Sequence, residues 1–248
     1  MISSISFQIF TSLLAQFSIS LLKMPICTAL ANGHDPPEPS PAEIKSALDK
    51  HDIYKHLNLS HYPNHTLQVR YEDRTGPILV EKSVQLGNKI PEELPFNAPS
   101  YINFSHFEPD TWYTLIMVGL DNPSIDRPVR RCYLHWIVGN IPENGNVKTE
   151  AETLVPYQWM ENVYYLKGIH RLVFLLYKQP DENSHVFDER FWMRSNLTFF
   201  REYYRVSLFS KKYRLGEPVA VNFFEVELKE TGYPLDFKDP SPTVINPF

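Results

Sequence analysis

Cysteine is nearly missing from this chain: there are two in 248 residues, Cys27 and Cys132. One of them lies in an apolar leading stretch. Once that stretch is removed no internal disulfide can form, and a metal centre built on several thiolates lacks its ligands. Glycine is scarce as well, at nine residues. The chain has no Gly-rich phosphate loop and no Gly-x-Ser-x-Gly elbow, so nucleotide-dependent and serine-hydrolase chemistry lack their usual sequence support. A basic excess is also lacking. The 24 Lys and Arg stand against 29 Asp and Glu, a formal net charge of −5, the wrong sign for a surface that holds nucleic acid.

Proline, in contrast, is abundant at 21 residues, and aromatics make up 14%. The prolines are scattered between apolar runs, a pattern of short strands and rigid turns rather than long helices. With 43% hydrophobic and 21% charged residues, the length suffices for one sizeable core.

Residues 1–31 read as a segment outside the fold. From Ile5 to Leu22 they are apolar and hydroxylic, and no charge occurs before Lys23. The run closes in Thr28-Ala29-Leu30-Ala31, a small-residue pattern suited to signal-peptidase cleavage before Asn32. A membrane anchor is the competing reading, since the apolar span approaches the length that crosses a bilayer, but serines and glutamines thin it. A mitochondrial presequence lacks its arginines. The expectation is therefore a signal peptide, a secreted product and no stable membrane insertion after cleavage, with mitochondrial targeting as the alternative. Four N-glycosylation sequons, at Asn58, Asn64, Asn103 and Asn196, agree with secretion.

Residues 32–41 read as a linker. Ser40, Pro41 and Glu43 then spell a capping box, and Ile44, Leu48 and Leu57 supply the apolar stripe of the helix it starts. His61-Tyr62-Pro63-Asn64-His65 has two histidines at a tempting spacing. Pro63 makes it a turn and no neighbouring Cys or acid completes a set, so it is expected to be a surface loop without metal. Leu67–Tyr71 alternates as a half-buried strand. Gly76–Asn88 reads as a hairpin or paired strands around Ile78-Leu79-Val80, and 91–110 as a Pro-rich connection whose aromatics cover one end of a sheet.

The organising stretch is Tyr113 to Asn140. Tyr113–Leu120 is apolar on both faces and should be a central strand. It ends in Asp121-Asn122-Pro123-Ser124. The next strand carries His135 within an apolar run, and parity places Tyr133, His135 and Ile137 on one face, Leu134, Trp136 and Val138 on the other. Downstream, Gly168-Ile169-His170-Arg171 leads into another apolar strand. Asn196–Gly216 turns helical, with aromatics interleaved by Arg201, Arg205, Lys211 and Lys212. That pattern reads as a helix capping the core, its charges solvated, rather than as a nucleic-acid surface.

Three of these motifs, in this order, resemble the phosphatidylethanolamine-binding protein family: the acid-Asn-Pro-Ser turn, the strand with a central His, and Gly-x-His-Arg. The resemblance covers roughly residues 42–230 and leaves 231–248 as a Pro-rich tail. It implies a mainly β fold with a few peripheral helices, an antiparallel β-sandwich of the family type. It also implies a binding pocket at Asp121, Pro123, Tyr133, His135 and His170 for a small anion or a phospholipid head group. It implies no cofactor and no enzyme activity, and leaves any protein partner undetermined. Two histidines and an acid under apolar walls suit such a ligand, since imidazole can donate and accept and a dry wall strengthens each hydrogen bond.

Some positions depart from the family pattern. Gly119 stands where the family turn has a first acid, Leu172 where an aromatic is common, and Glu161–Lys167 is bulkier than the usual Pro-Gly mouth. These changes predict a narrower, more apolar pocket, or a vestigial one in an interaction or inhibitor protein. The text around Gly168–Gln179 also resembles the family-like large-subunit protein of the mitochondrial ribosome. Ser124 beside Asp121 is expected to cap its turn rather than attack a carbonyl.

Overall fold

The computed structural model describes residues 37–143, 150–160, 166–180, 184–189 and 201–229. The expected leader, the start of the linker, the 161–165 part of the mouth, Asn196 and the tail lie outside the described residues.

The capping box forms as the sequence predicts. Helix α1 (Pro41–Lys50) begins with the Ser40 hydroxyl accepting from the Glu43 amide at 3.3 Å, while the Glu43 carboxylate accepts from the Ser40 amide at 2.8 Å. Its buried stripe is Ile44 and Leu48. Leu57 belongs instead to a second, short helix, α2 (Ile53–Leu57), because Asp52 adopts a left-handed conformation that breaks the first.

The strands are β1 (His65–Thr66), β2 (Gln68–Asp73), β3 (Val80–Ser83), β4 (Asn88–Lys89), β5 (Tyr101–Asn103), β6 (Tyr113–Gly119), β7 (Tyr133–Ile141), β8 (Glu152–Val155), β9 (Gly168–Lys178) and β10 (Ala220–Leu228). A seven-stranded sheet runs β1-β10-β9-β6-β7-β8, with β4 added beside β10. A three-stranded sheet runs β3-β2-β5. Pairing is antiparallel except where the short strands β1 and β4 lie parallel to β10. The fold is thus mostly β, as expected, with three α-helices among the described residues, and every residue of β6 is buried, as a central strand requires.

Of the two readings of residues 76–88, paired strands holds and a hairpin within the segment does not. Their strand β3 pairs with β2, and Ile78 and Leu79 stay exposed at its edge. The connection 91–110 contributes β5, a third strand of the small sheet, because its Tyr101-Ile102-Asn103 run finds the free side of β2.

Two apolar cores flank the large sheet. Between the sheets Leu67, Val69 and Tyr71 meet Met117, Trp136, Phe174 and Phe224. On the other face Ile44, Leu48 and Leu57 join Ile116, Leu134, Val173 and Phe209. The last of these comes from helix α3 (Val206–Lys212), shorter than the 196–216 pattern predicts, because Tyr203 has a positive φ of 58° and Arg205 is extended. Among the described residues no helix is long and apolar enough to cross a membrane.

Strict alternation fails on β7. Met117 pairs with Trp136, yet the next residue, Val118, pairs with Leu134. His135 is therefore the additional residue of a β-bulge, and Leu134 and Trp136 pack into opposite cores. A parity argument cannot see a bulge, because the residue types on either side of it remain apolar.

Candidate functional site

The bulge lies at the end of the three central strands, where Gly119 is paired to Tyr133 on one side and Leu172 on the other. Around it a recess is lined by Gly119, Asp121, Asn122, Tyr133, His135, Met160, Leu166, His170 and Leu172. Of the five predicted site residues, four meet here. Pro123 is half-buried in the adjoining turn and does not line the recess.

The four play different parts. Asp121 is buried, and its carboxylate is already engaged. One oxygen accepts from the Arg171 amide and from Arg171 Nε, both at 2.8 Å, and the other accepts from Arg171 Nη2. Arg131 adds a more distant contact at 3.7 Å, and the Arg171 guanidinium also donates to the His51 carbonyl at the end of α1. This bidentate buried pair locks the Asp121 turn to β9 and α1. The acid that the sequence places in the pocket floor is thus a positioning residue, because the Arg two positions before Val173 claims it first.

The histidines carry free polar atoms, as does Asn122 through its Oδ1. His135 is fully buried, and its Nδ1 lies 2.7 Å from the Gln158 carbonyl. A carbonyl only accepts, so Nδ1 carries the hydrogen and the neutral ring presents a bare Nε2 lone pair. That Nε2 and the Nε2 of His170 are buried without a partner among the described residues. Burial lowers the His135 pKa to about 4, opposed by the Gln158 bond and reinforced by the charges of Arg201 and His170. Burial lowers His170 too, against the pull of Asp121 and a hydrogen bond to the Lys167 backbone.

Gly119 explains how His135 fits. A Cβ there would lie 2.9 Å from His135 Nε2, so the imidazole occupies space that any side chain at this position would need. The recess left over measures about 10 Å³. That is room for about one water molecule, far below the several hundred Å³ of an open ligand site. Met160 and Leu166, both nearly buried, form its described wall, in agreement with the narrower and more apolar pocket read from the sequence.

Two site residues have no local sequence signal. Arg201, expected to be solvated, is 2% exposed and donates to the carbonyls of Leu134 (3.2 Å), His135 (3.0 Å) and Pro156 (3.0 Å). It satisfies the carbonyls that the bulge turns away from the ladder. Gln158 completes the frame, its amide donating back to the His135 carbonyl at 2.9 Å.

A mainly β chain with two buried imidazoles in a recess at the ends of its central strands defines a class: sandwich proteins with a polar strand-end recess. The model of the family described as "Phosphatidylethanolamine-binding protein" matches residues 80–224, and the chain belongs to that family. It is 31% identical over 202 residues to a Drosophila melanogaster protein named "Putative odorant-binding protein A5", covering 81% of this chain and 85% of that one. It is 35% identical over 121 residues to Protein FLOWERING LOCUS T of Arabidopsis thaliana, covering 49% of this chain and 61% of that one. Among solved structures, the phosphatidylethanolamine-binding protein from Plasmodium vivax matches with a TM-score of 0.54 at 22% identity, over 78% of this chain and all of the other. A carboxypeptidase Y inhibitor solved with its cognate proteinase gives 0.53 at 24% identity, over 77% and 97%. At these identities the two structures support the fold alone.

Proposed function

We propose that this chain is a secreted, non-enzymatic binding protein whose strand-end recess takes up a small anion, a phosphate or carboxylate group, together with a proton. The observation that carries the reading is the pair of unpartnered Nε2 atoms of His135 and His170 in one recess. As neutral rings both offer lone pairs, which repel an anion and welcome a donor. Uptake of a proton converts one acceptor into a charged donor, and the dry surroundings then make its hydrogen bond to an anionic oxygen strong. A phospholipid head group would enter by its phosphate, with Met160 and Leu166 swinging outward to admit it.

Among the described residues at the site no side chain is poised as a nucleophile. The Ser124 hydroxyl accepts from the Arg127 amide at 3.3 Å, capping its turn, and burial pushes the Cys132 thiol up to about 11. Secretion rests on the leader and on sequon asparagines 58 and 64, both exposed.

The test is a titration of the full mature chain with inorganic phosphate, acetate and phosphoethanolamine, followed by NMR of the imidazoles from pH 7.5 to 5.5. His135 and His170 should respond first, and the apparent Kd should tighten by up to about tenfold per pH unit, the limit for uptake of one proton. Binding that ignores pH, or a response confined to distant residues, would overturn the assignment.

The size of the recess favours a second reading, an interaction or inhibitor protein with a vestigial pocket; the carboxypeptidase Y inhibitor shows that this fold can serve one. In that case phosphate leaves both imidazoles unmoved, and a protein partner purifies with the chain: a proteinase or a kinase from the medium, or mitochondrial ribosomes if the leader is a presequence.

A further inference from the structure

Away from that recess, at the opposite end of the large sheet where β1 pairs with the start of β10, three metal-ligating side chains meet that are distant in the sequence. Glu38 precedes α1, His65 opens β1, and His106 follows β5. Their ligand atoms all lie within 4.8 Å of one another. Glu38 Oε1 is 3.3 Å from His65 Nδ1, and Glu38 Oε2 is 2.7 Å from His106 Nε2. The two imidazoles face each other with ring centres 3.9 Å apart.

We propose that Glu38, His65 and His106 form a binding site for a divalent transition-metal ion of the zinc type. Two imidazole nitrogens and one carboxylate oxygen are a donor set that such borderline ions favour, and three protein ligands leave a fourth position for water or a bound molecule. Bonds of about 2.0 Å in a tetrahedron place ligand atoms about 3.3 Å apart, so the Glu38–His65 pair already has that spacing. His106 meets the other carboxylate oxygen, and with all three ligand atoms within 4.8 Å of one another, side-chain rotation alone has to draw them to that tetrahedral edge. Because the three side chains are between 34% and 44% exposed, an ion reaches them without opening the core.

The surroundings fit an exchangeable site rather than a sealed one. A cleft of about 380 Å³ runs past His65 and His106, and His61, Glu108 and Glu217 also line it. It gives the fourth coordination position access to solvent and to a small ligand. The Thr66 amide donates to Glu38 Oε1 at 3.1 Å, an outer bond that fixes the carboxylate. A bound ion would tie the segment leading into α1 to β1 and to the loop after β5.

The sequence alone points away from this site. His61 and His65 share a turn without a nearby acid, and only the fold brings Glu38 and His106 to His65 while leaving His61 on the cleft wall.

The experiment is calorimetric titration of the chelator-stripped full chain with Zn²⁺, carrying Asn64→Gln so that a glycan on the cleft does not interfere. One equivalent should bind, at least tenfold more weakly after His65→Ala or His106→Ala, and the thermal midpoint should rise with Zn²⁺. The combined Glu38→Gln, His65→Ala, His106→Ala protein should lose both effects. Co²⁺ added to the unmutated site should give the visible absorption of a tetrahedral nitrogen–oxygen complex, a readout independent of how the variants fold. Zn²⁺ binding that the substitutions leave unchanged, a Co²⁺ spectrum of the hydrated ion, or a midpoint indifferent to chelator would overturn the proposal and leave Glu38 as a carboxylate clamp between two rings.

Discussion

At neutral pH the His135 ring is uncharged, with its Nδ1 hydrogen held by the Gln158 carbonyl and the guanidinium of Arg201 fixing the backbone behind it. In the unfolded chain this histidine takes up a proton below about pH 6.5, whereas burial holds it neutral in the folded protein down to about 4. Between those values the unfolded state binds more protons. Stability is therefore complete above about pH 6.5 and falls as the pH drops towards 4, by about 3 kcal/mol in all from this one group. His170 shifts in the same direction and adds to the slope. His135→Gln should flatten the dependence: urea midpoints measured from pH 7 to 4 should decline less steeply than in the parent protein. An equal slope in both would mean that His135 is not buried as a neutral ring. Asp121 belongs to the same scale. Its type and place were readable, but its role was not, since a carboxylate next to a pocket looks the same in sequence whether it faces the ligand or an arginine fifty positions away.

The elements that the sequence specifies most clearly are those with a local mechanism. The Ser40–Glu43 capping box and the doubly buried β6 follow from residue chemistry within a few positions. The bulge at His135, the shortened α3 and the recruitment of β5 do not, because each depends on what a distant segment offers. Asn222 is the clearest case. In sequence it is one of three polar residues in the final strand, with Glu225 and Glu227, yet its amide ties the two sheets together. It donates to the carbonyls of Leu67 at 2.6 Å and Val84 at 3.0 Å, and it accepts from the Leu86 amide at 2.9 Å. Leu67 precedes β2 and Val84 follows β3 at the same end of that antiparallel pair, so this one side chain ties one end of the small sheet onto β10. Asn222→Leu, close in volume, would leave these backbone groups buried without partners. We expect a loss of about 2–4 kcal/mol, from a penalty of about 1–3 kcal/mol for each unsatisfied group with partial relaxation. Chemical denaturation would measure it, and a change under about 0.5 kcal/mol, the usual range for a surface position, would show that the sheets do not depend on it.

For the molecule as a whole, the proposed secretion makes a prediction from where the sequons fall in the fold, something that spacing alone cannot rank. Asn58 ends α2 in a left-handed, exposed position, and Asn64 is exposed in the turn before β1. Asn103 lies within β5, half-buried, with its amide nitrogen donating to Gln68 at 3.1 Å across the small sheet. A glycan must be attached through that same nitrogen, so modification there would break a cross-strand bond and push the sheet edge outward. Expression through a secretory pathway should therefore give a chain beginning at Asn32 with glycans at Asn58 and Asn64 and none at Asn103. Peptide mass spectrometry of the secreted product would show it. Asn58→Gln and Asn64→Gln should each remove one glycan, while Asn103→Gln should leave the mass of attached sugar unchanged and cost about 1 kcal/mol for the lost hydrogen bond. An unmodified product retained with residues 1–31 attached would place the chain outside the secretory route and turn attention to the mitochondrial alternative. A glycan on Asn103 would mean that this edge of the small sheet opens before the sandwich closes.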